Sequence, residues 1–576
     1  MPRTILVFMK NTVSGAQRHA WITVPIITLG LVALLCSCAH RELPAQGGAS
    51  AATTRALRSR IDTIVVIYAE NRAFDNLYGN FPGARGLGEV LGSDGRPLPA
   101  YVPQIDRDGS VLPALPPTWG GVTAPGIDAV VTEAQSGGLP NAPFSIEHAF
   151  TAQSNVTLST STVTRDLWHR FFEHQMQIDG GKNDGYAAWS DAGGLAMGHY
   201  DYSSSALYGL AKDFVLADNF FQGAFGGSFL NHQYLICACA PEYPDAATAK
   251  ANPSIAVLEQ DAAGHYLPRL KTARGALRSA LDEPPRFAKS GNITPADYFG
   301  DGRFYAVNTM QPPYQPSGNK PAADDADYLY ADGGNPTTLP PQTARTIGDA
   351  LDTKHVSWAW YSGSWDAALA DGRRPPLKTR EAIYAPDYPG GNPNFQPHHQ
   401  PFNYYARFDP VAHPEQRSTH LKDYGELIAA AAAGHLPAVA FYKPQGNVNQ
   451  HEGYASIATG DAHIADLVAK LRASPQWPRM VIVITYDEFG GAWDHVAPPQ
   501  GDLLGPGARI PALIISPLAR HGTVDHTQYD TESILRLITR RFGLDVLPGI
   551  TRRDNALAAH GAPPMGDLTG ALDLKP

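Results

Sequence analysis

Two uninterrupted apolar runs dominate the pattern along the chain. Residues 61–68 read Ile-Asp-Thr-Ile-Val-Val-Ile-Tyr, and residues 480–486 read Met-Val-Ile-Val-Ile-Thr-Tyr. Neither alternates with polar positions, so both sides of each strand must be covered, as in the centre of a parallel sheet. Shorter runs at 356–361, 437–442 and 510–515 predict further strands. Elsewhere the period changes. Ile464, Leu467, Val468 and Leu471 recur at helical spacing within 461–473, and Ile534, Leu535, Ile538 and Phe542 do so before a stop at Gly543. Strands alternating with amphipathic helices predict an α/β fold, a mostly parallel central sheet with helices on both faces. Residues 86–135 and 241–346 carry scattered Pro and Gly without periodicity. They read as long loop insertions over the sheet rather than separate domains.

The first forty residues follow another order. Arg3, Lys10 and Arg18 precede the apolar run 21–35, and Ser37, Cys38 and Ala39 follow it. A positive flank, a greasy stretch and a small-residue exit make residues 1–40 an export signal. Leu35-Cys36-Ser37-Cys38 resembles a bacterial lipobox, in which Cys38 would carry the lipid. The same stretch also suits an uncleaved membrane anchor, being close to spanning length. Either arrangement exports the remainder, to a bacterial periplasm, to the outer membrane or to the medium, with membrane attachment through the lipid or anchor. Residues 41–60, rich in Ala, Gly, Ser and Thr, read as a flexible tether, and 61–576 as one domain with insertions. Cys237 and Cys239 lie too close for an unstrained bridge and read as two buried small residues. Against 45 Lys and Arg stand 55 Asp and Glu, a net −10. That acidic balance, with no evident Lys/Arg cluster, argues against nucleic acid as the partner.

Chemistry concentrates where the long strands end. In open α/β sheets, ligands gather outside the carboxyl ends of the strands. The first run exits into Glu70-Asn71-Arg72-Ala73-Phe74-Asp75, and the late one into Asp487-Glu488-Phe489-Gly490-Gly491, then Trp493-Asp494-His495. A single acid after a strand is commonly a cap or turn residue. Two matched exits are different: Glu70, Asn71, Asp487 and Glu488 make an oxygen-rich cradle for one divalent cation of unspecified identity. Gly226-Gly227-Ser228 can present a hydroxyl at the start of a helix, although it is not a Gly-x-Ser-x-Gly elbow. A serine is a poor nucleophile until a base or metal lowers its pKa, and a cation held by Glu70 and Asp487 would do so. Further on, Gly180-Gly181-Lys182-Asn183-Asp184 looks like a phosphate cradle without P-loop spacing. It makes Lys182 and Asp184 candidate substrate-binding residues. His169, His398, His399 and His451 sit in polar contexts, where several imidazoles would hold phosphoryl oxygens and protonate a leaving alcohol.

Taken together, residues 64–76, 169–184, 227–234 and 486–499 resemble the phosphoesterase family of acid phosphatase A and the bacterial non-haemolytic-type phospholipases C. The resemblance implies an alkaline-phosphatase-like α/β core. It also implies that Ser228 is both nucleophile and metal contact, with Glu70, Asn71, Asp487 and Glu488 as ligands. Glu488 stands where the phosphatase branch is expected to have an aspartate. His169, His451 and one of His398 and His399 match the histidines around the phosphoryl group. The stretch 169–184 is closer to the phosphatase branch. The lack of an Arg-Arg pair before the apolar run, and an end soon after the last helix, point the same way. The expectation is a metal-dependent phosphoric-ester hydrolase, an acid phosphatase acting on small phosphomonoesters through a phosphoserine. Phospholipase C cleavage of phospholipid head groups is the alternative. A non-catalytic surface lipoprotein that binds anions is the reading from another class, and the intact Ser228 speaks against it. No Cys/Ser-x-Pro-x-Arg sulfatase signature is present.

Overall fold

The two long apolar runs become neighbouring central strands of one eight-stranded sheet. In the computed structural model, which describes residues 49–374, 380–385 and 393–574, the strands are β1 (Thr63–Ala69), β2 (Val215–Ala217), β3 (Trp358–Ser362), β4 (Leu421–Asp423), β5 (Val439–Lys443), β6 (Met480–Tyr486), β7 (Ala512–Ile515) and β8 (Thr523–Asp525). Their order across the sheet is β8-β2-β7-β6-β1-β5-β3-β4. The pairs β6-β1, β1-β5, β5-β3 and β3-β4 are parallel, and β7 alone runs against its neighbours β6 and β2. Every residue of β1 and β6 is buried, as their unbroken apolar pattern requires.

Five helices frame this sheet and its strand ends: α1 (Ala51–Arg60), α2 (Phe171–Ile178), α3 (Ser228–Cys237), α4 (Ile457–Arg472) and α5 (Thr531–Phe542). The helical spacing in 461–473 is that of α4, which starts earlier than expected because the Ser456 side chain caps it, accepting from Thr459 N at 3.1 Å. α5 ends at Gly543 in the left-handed region, φ 66°. α3 is buried along its whole length, with α5 packed against it. From residue 46 onward the chain is one compact unit. Within 241–346 one antiparallel hairpin forms, Leu258–Gln260 with Tyr266–Leu270.

Two expectations are corrected here. Ala51–Arg60, read as tether, is helix α1. Its Ala- and Arg-rich sequence favours a helix, Ser50 caps it, and Leu57 is buried. Cys237 and Cys239, read as two buried small residues, are joined by a disulfide. Ala238 at the end of α3 adopts a left-handed turn, φ 50°, and folds Cys239 back towards Cys237. The export signal, the lipobox cysteine and residues 41–48 lie outside the described residues. No described helix is long and apolar enough to cross a membrane.

The core makes a stability prediction. Ile484 is fully buried on β6, between Ile67 and Leu513. Ile484→Ala should lower unfolding free energy in urea by about 2–5 kcal/mol. Val411→Ala, at a position 61% exposed, should change it by no more than about 0.5 kcal/mol. Equal effects would mean that β6 is not central.

Candidate active site

Register builds the floor of the site. β1 and β6 pair in parallel with Ala69 opposite Tyr486, so Glu70 and Asp487 leave the sheet side by side. Asp487 N donates to Ala69 O at 3.1 Å. Asn71 then takes a left-handed turn, φ 59°, which asparagine tolerates better than most residues. The turn aims Asn71 N at Asp487 Oδ1 (3.2 Å), and Glu488 N donates to the same oxygen at 2.9 Å. On the other flank of β1, β5 ends in Lys443. Its Nζ lies 2.8 Å from Glu70 Oε1 and 3.7 Å from Asp487 Oδ2. Lys443 escaped the sequence reading, although it stands at the exit of the 437–442 run, where the strand-end argument applies equally. Arg72, next to Asn71, donates to Gln450 O at 2.7 Å and pairs with Glu452 at 2.5 Å, which fixes the loop carrying His451.

Ser228 is the first residue of α3. Its approach depends on the two preceding glycines. A Cβ on Gly226, where φ is 84°, would lie 2.6 Å from Phe171 Cα, and one on Gly227 would lie 2.8 Å from His169 O. Without side chains there, Ser228 Oγ sits 3.4 Å from Glu70 Oε2, 3.4 Å from Asn71 Oδ1 and 3.5 Å from Glu488 Oε1. One hydroxyl proton cannot serve three acceptors. Oxygens bound at right angles around a cation at about 2.4 Å would, however, lie about 3.4 Å apart.

Two further observations fit a cation. Asp487 Oδ2 and His232 Nε2 are buried without a hydrogen-bond partner. Glu70, Asp487 and Glu488 are also fully buried against a single ammonium, Lys443, which leaves two negative charges for a divalent ion to balance. The imbalance shows in the acidities. Burial and the Glu70 charge push Asp487 up to about 7, and burial with the Asp487 charge raises Glu488 well above its ordinary value. Burial acts on Glu70 too, but His399 and Lys443 hold it well below the usual carboxylate range. The residues present therefore suit one divalent cation held by Glu70, Asn71, Asp487 and Glu488 with Ser228. Imidazoles stand beside these oxygens as well: Glu70, His232 and His399 offer atoms within 4.8 Å of one another. His232 was visible in the sequence, one helical turn after Ser228.

The histidines are oriented by backbone carbonyls. His169 Nδ1 donates to Leu167 O at 2.6 Å, His232 Nδ1 to Ser228 O at 2.7 Å, and His451 Nδ1 to Glu452 O. Each is left with an open Nε2. That of His169 lies 3.6 Å from Glu488 Oε1, and that of His451 4.0 Å from Glu70 Oε2. Burial lowers the pKa of both rings and keeps them neutral near pH 7. His398 and His399 divide their roles. His398 lines a cavity of about 370 Å³ together with Ser228, His169, Arg170 and His451. His399 lies beneath, its Nε2 2.5 Å from Glu70 Oε1 and its ring stacked on His232.

Lys182 and Asp184 do not join them. The Lys182 side chain is 63% exposed and pairs with Asp179 at 2.6 Å, and neither residue lines the cavity. Asp179 closes α2 in the left-handed region, φ 42°, and the glycine pair before Lys182 continues the turn, with φ 66° at Gly180 and 101° at Gly181. The positive charge at the cavity comes from Arg170, whose guanidinium donates to Gly291 O at 2.9 Å and Asn292 Oδ1 at 3.1 Å.

A buried guanidinium joins the two ligand-bearing loops. Arg509 Nη2 lies 3.0 Å from Asp75 Oδ1, in the short helix Phe74–Tyr78 that follows β1, and its Nε lies 3.0 Å from Asp494 Oδ1, in the loop after β6. Asp75 N donates to Asp494 Oδ2 at 3.0 Å, and His495 N to Asp75 Oδ2 at 2.8 Å.

Fold and site together define an α/β protein with a serine at the first turn of a buried helix, set over an oxygen-rich cluster suited to a cation. The chain belongs to the Phosphoesterase family, whose model matches residues 61–545. Phospholipase C B of Mycobacterium tuberculosis is 29% identical over 174 residues, 26% of this chain and 32% of that protein. Non-specific phospholipase C1 of Arabidopsis thaliana is 33% identical over 112 residues, 15% of this chain and 21% of that one. The chain thus spans about a third or less of the length of the curated relatives it matches. Among solved structures, an alkaline phosphatase superfamily protein from Vibrio parahaemolyticus matches at 16% identity and a TM-score of 0.19, over 36% of this chain and 50% of that one.

The cradle predicts metal binding. Calorimetric titration of Mn²⁺ or Ca²⁺ into chelator-stripped protein should show at least about ten-fold weaker binding in Glu70→Gln and Asp487→Asn. Lys182→Ala should match wild type. Unchanged affinity in both carboxylate variants would exclude this cradle as the binding site.

Proposed function

We propose that the protein is a metal-dependent phosphoric-ester hydrolase that acts on small phosphomonoesters by serine displacement. The observation that carries this reading is Ser228 Oγ at the start of α3, facing three cradle oxygens at the floor of a cavity walled by imidazoles and Arg170. When bound, a divalent cation would lower the serine pKa and draw charge from the phosphoryl oxygens.

The protein's own groups supply the remaining steps. Ser228 Oγ attacks phosphorus, and Nε2 of one of His169 and His451, left open when Nδ1 is committed to a carbonyl, takes its proton. Nε2 of the other, in its protonated form, gives a proton to the leaving oxygen on the opposite side of phosphorus. Arg170, His398 and the N-terminus of α3 hold the equatorial oxygens. Water then releases phosphate from the phosphoserine. Export through residues 1–40 would place this chemistry outside the cytoplasm.

A second reading, cleavage of phospholipid head groups, is favoured by the names of the aligned relatives, which are phospholipases C.

Ser228→Ala should reduce kcat/KM by at least about 1,000-fold with no change in the unfolding midpoint. Brief incubation of wild type with ³²P-labelled substrate should leave acid-stable label on Ser228. Near-wild-type turnover by the variant would sink the mechanism. Parallel assays with p-nitrophenyl phosphate and p-nitrophenylphosphorylcholine separate the two readings: faster turnover of the monoester supports the first, and of the diester the second.

A further inference from the structure

The overall acidity of the chain conceals a basic surface. Residues 266–289 contain Arg269, Lys271, Arg274, Arg278, Arg286 and Lys289 against Asp282 and Glu283, a net +4 in a chain of net −10. The expectation of no Lys/Arg cluster is corrected by this segment, which is one. Its backbone is well tied. Lys271 N donates to Val257 O, Val257 N to Lys289 O, Ala288 N to Lys271 O and Ala273 N to Arg286 O, at 2.8–3.0 Å. The hairpin strand Tyr266–Leu270 and the return stretch 286–289 therefore form one small ladder.

Its charges are largely unspent. Glu259 occupies Arg269, and Glu283 occupies Arg286. Among the described residues, Lys271, Arg274, Arg278 and Lys289 are exposed and make no ion pair. Exposed aliphatic side chains lie among them: Leu277 at 49%, Leu267 at 38% and Val257 at 38%. Cations interleaved with aliphatic tips suit an anionic lipid interface, where charge attracts and the tips enter the headgroup boundary.

The ladder runs directly into the cavity wall. Ser290 donates to the buried Glu173, and Gly291 and Asn292 accept from Arg170. Asn292 itself lines the cavity above Ser228. From Lys289 to Asn292 the chain can span at most about 10 Å.

We propose that the basic stretch 266–289 docks the protein on an anionic phospholipid bilayer and brings the cavity mouth to the headgroup layer. The inference goes beyond the hydrolase reading by assigning the protein a membrane-facing surface, and docking itself does not depend on turnover.

The test is vesicle co-sedimentation of the full-length chain, with neutral phosphatidylcholine vesicles and with vesicles containing phosphatidylglycerol. Wild type should partition at least about ten-fold more strongly onto the anionic vesicles and be released by about 0.5 M NaCl. The combined variant Lys271→Ala/Arg274→Ala/Arg278→Ala/Lys289→Ala should bind them several-hundred-fold more weakly, at about five-fold per charge. Leu277→Ser should give a smaller loss. Both variants should keep wild-type rates on p-nitrophenyl phosphate, which shows that they are folded. The N-terminal segment is common to all three chains and cancels in the comparison. Equal binding of both vesicle types, or undiminished binding by the four-charge variant, overturns the proposal. So does tighter binding of duplex DNA than of anionic vesicles. Intact docking by a protein that hydrolyses no phosphoric ester would instead overturn the hydrolase reading and leave the docking surface standing.

Discussion

Everything at the site depends on placing three carboxylates in a space from which water is excluded. The pairing of Ala69 with Tyr486 leaves no freedom in this: the residues next in the chain after each must meet at the sheet's edge. Glu70, Asp487 and Glu488 meet there, and Lys443, from the strand on the other flank, is the one fixed positive charge among them. Burial of like charges is costly enough that protons or a cation must complete the set. A divalent ion held among them would balance the two charges that Lys443 leaves over.

Ser228 is held by the same economy of space. Gly226 and Gly227 are bounded by Phe171 and His169, so the start of α3 and the start of α2 are pressed together by backbone, not by side-chain fit. Arg170 and Phe171 in turn meet the insertion, Phe171 N donating to Asn308 Oδ1 at 2.9 Å. A stretch without regular secondary structure thereby becomes a wall of the cavity. The sheet supplies the cradle, α3 the serine, and the insertion the face that an incoming substrate meets.

How much of this was legible depended on the range of the signal. β1 and β6 could be read because burial on both faces imposes an unbroken apolar run, and their ends located Glu70, Asn71, Asp487 and Glu488. The three-residue strands β2, β4 and β8 are too short to show a period. Lys182 was misplaced because glycines before a lysine look alike whether they cradle an anion or, as here, form the turn after a helix end. His398 and His399 are adjacent in one tight turn with rings 73° apart, so only the tertiary surroundings decide which faces the cavity. The basic stretch 266–289 was hidden by averaging charge over the whole chain. For Cys237 and Cys239, a bridge depends on the left-handed turn at Ala238, which alanine does not advertise.

Arg509 has a consequence for how the site moves. One guanidinium holds Asp75 from the first ligand loop and Asp494 from the second. Lifting either loop leaves a buried charge unmatched at the other, a cost of about 3–5 kcal/mol. The two loops therefore share one opening free energy and fluctuate as a single cooperative unit, although more than 400 residues of chain separate them. Amide protection across 71–76 and 487–495 is therefore expected to rise and fall together.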